Sequence, residues 1–503
     1  MFLKYLRFTA IILVFILIAS LSWHSLNSIN QDIGRHLKTG EIIWQTKNVP
    51  KTNLFSFTEP DRPFINHHWL SEVIFYGLNN LIGLKGLIVF KVLVILASFS
   101  FIFLAVKKRA SLWPTLIAMF LASFLFTDRI DVRPEIFSYL FLSFFIYALF
   151  QLKYEKNYKL LYVLPLVQIL WTNTHIYFIL GPGLVFLMLL DAWVTRSKSD
   201  IKKLAYVLLG TIAVTLINPN FIKGAVAPFT ILKNYGYSIV ENQSVFFIKD
   251  YGILTKEINF FIALFILLIV SFFITLKNGR KKILFEALVT MVFSILAFKM
   301  IRNFGLYSMI FVPIFALNLS SLSVPKSFSL KKFKIGFYLF FIFLLIYSIY
   351  NITNNNFFNY IKSSKRFSLS IPTGAGQGVE FIKQNNIHGP VFNNFDVGSF
   401  LIWKLYPEQK VFIDGRPEAY SVDFFEKVYK PMQENPQTWR MYSEKYKINY
   451  VFFDYHDITP WSQKFLDNIS INPSWPLVYL DNSIVIFLKK TPENADIISK
   501  YHR

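Results

Sequence analysis

The sequence predicts a polytopic α-helical membrane protein of about 11 transmembrane helices, followed by a C-terminal extracytoplasmic α/β domain. Three observations carry this expectation. The 503-residue chain is 54% hydrophobic and holds 56 Phe, with a positive mean hydropathy outside the range of soluble domains. Its apolar runs are long and are separated by short connectors rich in Lys and Arg. Beyond about residue 370 the long runs give way to short β-rich segments alternating with helical ones.

The first apolar run, 8–24, follows Lys4 and Arg7 in the manner of a signal peptide. No small-residue cleavage site comes after it, so it reads as a retained first span. The basic clusters are Lys107, Lys108 and Arg109; Lys153, Lys156 and Lys159; Arg196, Lys198, Lys202 and Lys203; Lys277, Arg280, Lys281 and Lys282; and Lys326, Lys331, Lys332 and Lys334. Their confinement to connectors follows the positive-inside rule, so the net charge of +22 does not indicate nucleic-acid binding. Placing each cluster in the cytoplasm requires an even number of crossings between clusters, with the N-terminus cytoplasmic. Spans then fall near 8–24, 85–106, 111–127, 136–152, 160–172, 177–194, 204–217, 258–276, 283–298, 304–320 and 335–350. The organisation is a transmembrane domain, 1–350, with a first outer loop at 25–84; a linker, 351–369; the α/β domain, 370–490; and a tail, 491–503. The absence of cysteine excludes disulfides, thiolate metal sites and cysteine nucleophiles.

This topology gathers the unusual polar residues on the outer side, as a site opening to that face requires. In the first outer loop a helix over 31–45 aligns Ile33, Leu37, Gly40 and Trp44 on one stripe, suited to lying on the bilayer surface. Asp32, His36, Thr39 and Ile43 form the other stripe. After the turn-rich stretch 48–68, His68 and Glu72 repeat the i, i+4 spacing, with Trp69 and Phe75 as interfacial anchors. The segments "PVFN", "KVFID", "INYVFFD", "PLVYLD" and "SIVIFLKK" read as strands.

Beside this reading stands a resemblance. "DIGRHLKTGEII", "VPKTNLFSFT" and "RPFINHHWLSEVIFY" resemble the first outer loop of bacterial members of the GT-C glycosyltransferase superfamily. "VRPEIFSYLFL", "WTNTHIYFILG", "LINPNF" and "MIRNFGLY" resemble further segments of one such membrane family, and "FNNFDVGSFLIW" and "VFIDGRPEAY" its exported domain. The resemblance implies a multispan enzyme of the bacterial cytoplasmic membrane that uses a polyprenyl-phosphate-linked sugar and acts on a glycan, lipid or protein acceptor. It also implies a catalytic acidic residue in the first outer loop, matched here by Asp32. No Asp-Glu or Asp-x-Asp pair stands there, and the use of a divalent metal is left open.

Asp32 as a general base would accept the proton of an attacking hydroxyl; as an N-cap it would only start the helix. His36 is expected to orient Asp32, share its proton or touch phosphate, or else to bond a loop carbonyl. His67, His68 and Glu72 are candidates for acceptor or loop contacts, with a spacing compatible with a metal but without an evident third ligand. Arg302, Asn303, Arg133 and His175 are candidates for donor binding, because guanidinium suits phosphate. The competing reading of Arg133 is charge balance with Asp128, Asp131 and Glu135, and that of His175 with Asn173 is helix capping. Lys91 is expected to snorkel outward. In the tail, Asp396, Asp414, Arg416 and Glu418 read as structural, with an ion pair inside "FIDGRPEAY". Two other functions fit the composition: a lipid-linked glycan transporter or flippase, and a non-catalytic assembly protein with an exported binding domain. The few mid-span charges argue against the first.

Overall fold

The computed structural model describes residues 1–26, 32–231, 235–279, 283–322, 331–371 and 374–501. Of the basic connector residues, Arg280, Lys281, Lys282 and Lys326 lie outside these, as does the side chain of Asp128. The chain divides into two compact units: Met1–Leu26 with Leu84–Ala225 and Ile239–Ser370, and Asn27–Gly83 with Val226–Ser238 and Ile371–Arg503. The first outer loop is thus counted with the C-terminal residues, separate from the helical bundle.

The first unit is a helix bundle, and it has a helix at every one of the expected span positions. Seven helices are long and apolar enough to cross a membrane, and eight if the pair Lys198–Leu216 and Phe221–Thr230, bent by 104°, forms one broken span. The expected count of about 11 is not reached by length, because Leu112–Phe126, Leu164–Thr174 and Leu284–Lys299 have only 15, 11 and 16 residues. Burial sorts the bundle into layers. Ile301–Leu319 and Glu135–Glu155 are buried over 94% and 83% of their most apolar windows, whereas Phe2–Ser22 and Lys331–Thr353 are buried over 28% and 22%. The outer helices present Phe8, Leu209, Phe273, Phe340 and Phe343 to the exterior, as a lipid-facing wall does. Lys91 departs from the expected outward reach. It is buried, and its Nζ lies 3.1 Å from both the Ile130 carbonyl and His24 Nε2.

The second unit is built on a four-stranded sheet: β1 (Val391–Asn393), β2 (Tyr450–Asp454), β3 (Leu477–Leu480) and β4 (Ile484–Leu488), in the order β1-β2-β4-β3. β1 and β2 are parallel, β4 is antiparallel to both neighbours, and a bulge interrupts β3 between Leu477 and Tyr479. Side chains alternate across the sheet, and both faces are covered. Val451, Phe453, Val485 and Phe487 join an aromatic core with Trp439, Phe465 and Trp475; Tyr450, Phe452, Ile484 and Ile486 join an aliphatic core with Val379, Ile382 and Leu401. Loop residues enter both cores, Phe64 on the aromatic face and Phe55 on the aliphatic one.

The "KVFID" segment is not a strand of this sheet. Val411 instead bridges to Ser56 of the loop, and the Phe412 carbonyl accepts bonds from Ser56 Oγ at 3.1 Å and Thr58 Oγ1 at 2.9 Å. The following turn holds a buried bidentate ion pair, with Arg416 Nε and Nη2 each 2.7 Å from an oxygen of Asp414. Arg416 Nη2 also donates to Asn53 Oδ1 at 2.8 Å, and its guanidinium lies over the rings of Phe55 and Phe64. The Glu59 carboxylate accepts from the Ser421 amide at 2.7 Å and hydroxyl at 2.6 Å.

Removing Arg416 leaves Asp414 a buried charge without its partner. Arg416→Leu should therefore destabilise the protein by about 3–5 kcal/mol, whereas Arg416→Leu combined with Asp414→Asn should regain part of the loss. Denaturant unfolding followed by tryptophan fluorescence checks both values.

Candidate functional site

Two polar clusters stand out, one in each unit. In the second unit the helix Ile33–Thr46 buries Ile33, Leu37 and Gly40 and packs on the helix Gly398–Leu405. The stripe expected to lie on a membrane surface is therefore an internal packing face, and only Trp44 of it is exposed. At Gly40 the backbone approach is so close that a Cβ would fall 2.1 Å from the Glu72 carbonyl oxygen, so no other residue fits there. That approach brings Glu72, expected only as the helical partner of His68, against the neighbouring helix. Phe75, expected as an interfacial anchor, is fully buried near the His36 ring.

Glu72 is the hub of this cluster. Its Oε1 lies 3.0 Å from His36 Nδ1, 3.4 Å from His68 Nε2 and 3.5 Å from Arg35 Nη1, and its Oε2 accepts from Asn66 Nδ2 at 2.5 Å. Burial and the neighbouring Arg35 charge hold both imidazoles below their ordinary range, His68 at about 3 and His36 well below 6.5, so both are neutral near pH 7. His67 is half-buried and stands edge-on to His68 at 4.5 Å.

Asp32 joins the cluster through Arg35, whose Nη2 is 3.5 Å from its Oδ1. It stands at the N-cap position but makes no side-chain cap bond, which removes the expected capping role. The His36 amide donates to the Asp32 carbonyl at 3.0 Å, but among the described residues the Asp32 carboxylate is held by Arg35 and not by the imidazole; sequence reasoning did not single out Arg35 although the i, i+3 spacing was there to read. Exposure separates the two carboxylates. The Asp32 side chain is 30% exposed, whereas Glu72 is 0% exposed. A reacting molecule can reach Asp32 and cannot reach Glu72.

Ligand atoms of His36, His68 and Glu72 lie within 4.8 Å of one another, the single such group among the described residues. The third member is therefore His36 and not His67. The arrangement nonetheless fits a divalent ion poorly, because Arg35 Nη1 lies 3.4 Å from His68 Nε2 and 3.5 Å from Glu72 Oε1. A guanidinium already supplies the positive charge between two of the three ligands.

The cluster in the first unit is built of arginines. Arg129 reaches Glu241 at 2.8 Å and Glu135 at 3.1 Å, and Arg133 reaches the same Glu241 at 3.1 Å. Of the expected partners of Arg133, Glu135 pairs with Arg129, while Asp131 lies 3.5 Å from Lys365 and is held below the ordinary carboxylate range by Lys365 and Arg133 together. Arg302 donates to Asn242 Oδ1 at 2.9 Å and lies over the Tyr177 ring, with no carboxylate within ion-pair distance among the described residues. Among the described residues, the Nε–H groups of Arg129 and Arg302 and the Tyr177 hydroxyl are buried without a hydrogen-bond partner. Leaving such donors unbonded costs about 1–3 kcal/mol each, and an incoming acceptor recovers it.

His175 is one step removed, its Nδ1 2.8 Å from Ser138 Oγ and its ring edge-on to Tyr177. Asn303 is buried and donates to the Leu296 carbonyl at 2.8 Å, as a residue at a helix end does. Asn173 likewise bonds backbone carbonyls of Ile169 and Ile217. Arg129 and Glu241 escaped sequence reasoning because 112 residues of chain separate them.

No protein-family model and no curated protein sequence matches the chain. Solved structures do. The archaeal oligosaccharyltransferase AglB from Archaeoglobus fulgidus, in complex with an inhibitory peptide and a dolichol-phosphate, is similar over 99% of this chain and 78% of its own, with a TM-score of 0.63 at 11% identity. ArnT from Cupriavidus metallidurans bound to undecaprenyl phosphate is similar over 97% of this chain and 99% of its own, with a TM-score of 0.54 at 12% identity. ArnT in the apo state gives 0.52 at 13% identity. At such identities the likeness is one of fold, and the chain has a GT-C-like fold.

Proposed function

We propose that this chain is a membrane glycosyltransferase that moves a sugar from a polyprenyl-phosphate donor to an extracytoplasmic acceptor. The observation that carries the reading is Asp32, a reachable carboxylate fixed by Arg35 at the edge of an otherwise buried, charge-compensated cluster. The GT-C-like fold supports it, since the similar AglB and ArnT structures hold dolichol-phosphate and undecaprenyl phosphate.

In the reaction Asp32 takes the proton of the acceptor hydroxyl as that oxygen attacks the anomeric carbon. The bond from that carbon to the phosphate oxygen breaks, and polyprenyl phosphate leaves with the bonding electron pair. In the first unit Arg302 is the guanidinium suited to a phosphate, because among the described residues no carboxylate lies within ion-pair distance of it and its Nε–H has no hydrogen-bond partner. Tyr177 and, behind it, His175 position Arg302. His36, His68 and Glu72 act indirectly by fixing Arg35, and no step is assigned to a metal.

The transporter and assembly-protein readings both leave Asp32 without a chemical task. A general base contributes about 100-fold to 10,000-fold in rate, so Asp32→Asn should lose that much sugar transfer while its unfolding midpoint stays near wild type. Near-normal transfer by the folded variant would contradict the assignment. The missing cap bond makes this a clean test of chemistry over folding.

The one-sided basic connectors further support a topology in which the α/β unit is extracytoplasmic and the connector around Lys159 cytoplasmic. Both Glu408 and Lys159 are exposed, and the chain has no cysteine of its own. A membrane-impermeant thiol reagent should label Glu408→Cys in intact cells and Lys159→Cys only after lysis. The reverse pattern would invert the topology.

A further inference from the structure

We infer that Asp32, Ser399 and Glu418 form a subsite over Gly415 for an acceptor with neighbouring hydroxyls, that is, a carbohydrate and not the single alcohol of a protein side chain or a lipid. The inference rests on the reading of Asp32 given above and names the acceptor class. It follows from three polar groups gathered at one turn of the second unit.

The turn spans residues 414–419. It is closed by the Arg416 amide on the Asp414 carbonyl at 2.8 Å and by the Ala419 amide on the Arg416 carbonyl at 3.0 Å. The φ of Gly415 is not positive, so the backbone does not require glycine there, and what glycine supplies is room. A Cβ at Gly415 would stand 2.8 Å from Asp32 Oδ1 and 3.6 Å from Ser399 Oγ. The Asp32 carboxylate and the Ser399 hydroxyl thus border the same notch. Ser399 is 1% exposed, and among the described residues its Oγ has no hydrogen-bond partner. A buried hydroxyl left unbonded is unfavourable, and a ligand hydroxyl relieves it either as donor or as acceptor.

Glu418 supplies the third group from the same turn. It is partly buried, and burial pushes its carboxyl up from the ordinary value, which its own backbone amide, Arg35 and Arg416 only partly offset. Arg35, whose Nη2 is 3.5 Å from Asp32 Oδ1, therefore acts on both carboxylates. A carboxylate only accepts, so Asp32 and Glu418 each need a donor, and Ser399 is satisfied by either kind of partner. A lone alcohol meets one of these three groups. A sugar meets more: Asp32 takes the proton of the attacking hydroxyl, while Ser399 and Glu418 hold the hydroxyls beside it.

The test applies the full chain in lipid nanodiscs to an array of immobilised oligosaccharides and, in parallel, to immobilised peptides rich in Ser and Thr. Wild type should be retained by oligosaccharides and not by the peptides. Ser399→Ala removes a hydroxyl that has no internal partner, so its unfolding midpoint should stay at the wild-type value while oligosaccharide affinity falls about 3-fold to 10-fold. Glu418→Gln should lose about 10-fold or more, and Glu418→Asp less. Folded Ser399→Ala and Glu418→Gln proteins with the wild-type affinity would overturn the proposal. Retention of wild type by the peptides alone, or by neither surface, would overturn it as well, and loss of transfer in Asp32→Asn would still leave the base assignment standing. Displacement of the bound oligosaccharide by decaprenyl-phosphate mannose would assign the subsite to the donor's own sugar and overturn the acceptor claim.

Discussion

The Asp414–Arg416 ion pair is the constraint on which the second unit depends. Burying two charges is costly, and the cost is offset only where every hydrogen-bonding position is matched. Here the pair is bidentate, Tyr420 donates to Asp414 Oδ2 at 2.9 Å, and Asn53 accepts from Arg416 at 2.8 Å. The geometry is satisfied only when loop residues 53–64 are in place, with Phe55 and Phe64 against the guanidinium. The loop in turn sets the helix that carries Asp32, whose Oδ1 would lie 2.8 Å from a Cβ at Gly415 in the same turn. A structural ion pair therefore determines where the Asp32 carboxylate stands.

Both polar clusters follow one electrostatic logic. Buried charges are compensated internally, and a group less fully paired stands at the edge of each cluster. Around Glu72 the neutral imidazoles, Asn66 and Arg35 satisfy a fully buried carboxylate and leave Asp32 partly exposed. Around Glu241 two arginines form ion pairs, and Arg302 donates instead to the Asn242 amide oxygen. Arg35 has a part in this that a metal could otherwise take, because it bridges Glu72 and His68 and also reaches Asp32.

Much of this was legible in the sequence where the signal is local. Every expected span has its helix, and four of the five β-rich segments became strands, because hydrophobic period and connector charge are properties of neighbouring residues. The exceptions have tertiary causes. "KVFID" pairs with loop residue Ser56 rather than with the sheet, and Lys91 is drawn inward by His24 and the Ile130 carbonyl. Asp32 stood where a cap stands, yet its carboxylate turns to Arg35. The i, i+4 pair His68 and Glu72 was visible, but the close approach at Gly40 that adds His36 was not. Glu241 lay in a long loop without any motif, and only folding shows that it pairs with Arg129 and Arg133.

The central claim is that this fold presents a lipid-phosphate site at Arg302. The most direct measurement is a density map of the full chain in nanodiscs containing polyprenyl phosphate. The account predicts phosphate density within hydrogen-bond distance of the Arg302 guanidinium, with Glu241 still paired to Arg129. Phosphate density elsewhere, with Arg302 bonded only to Asn242, would contradict it.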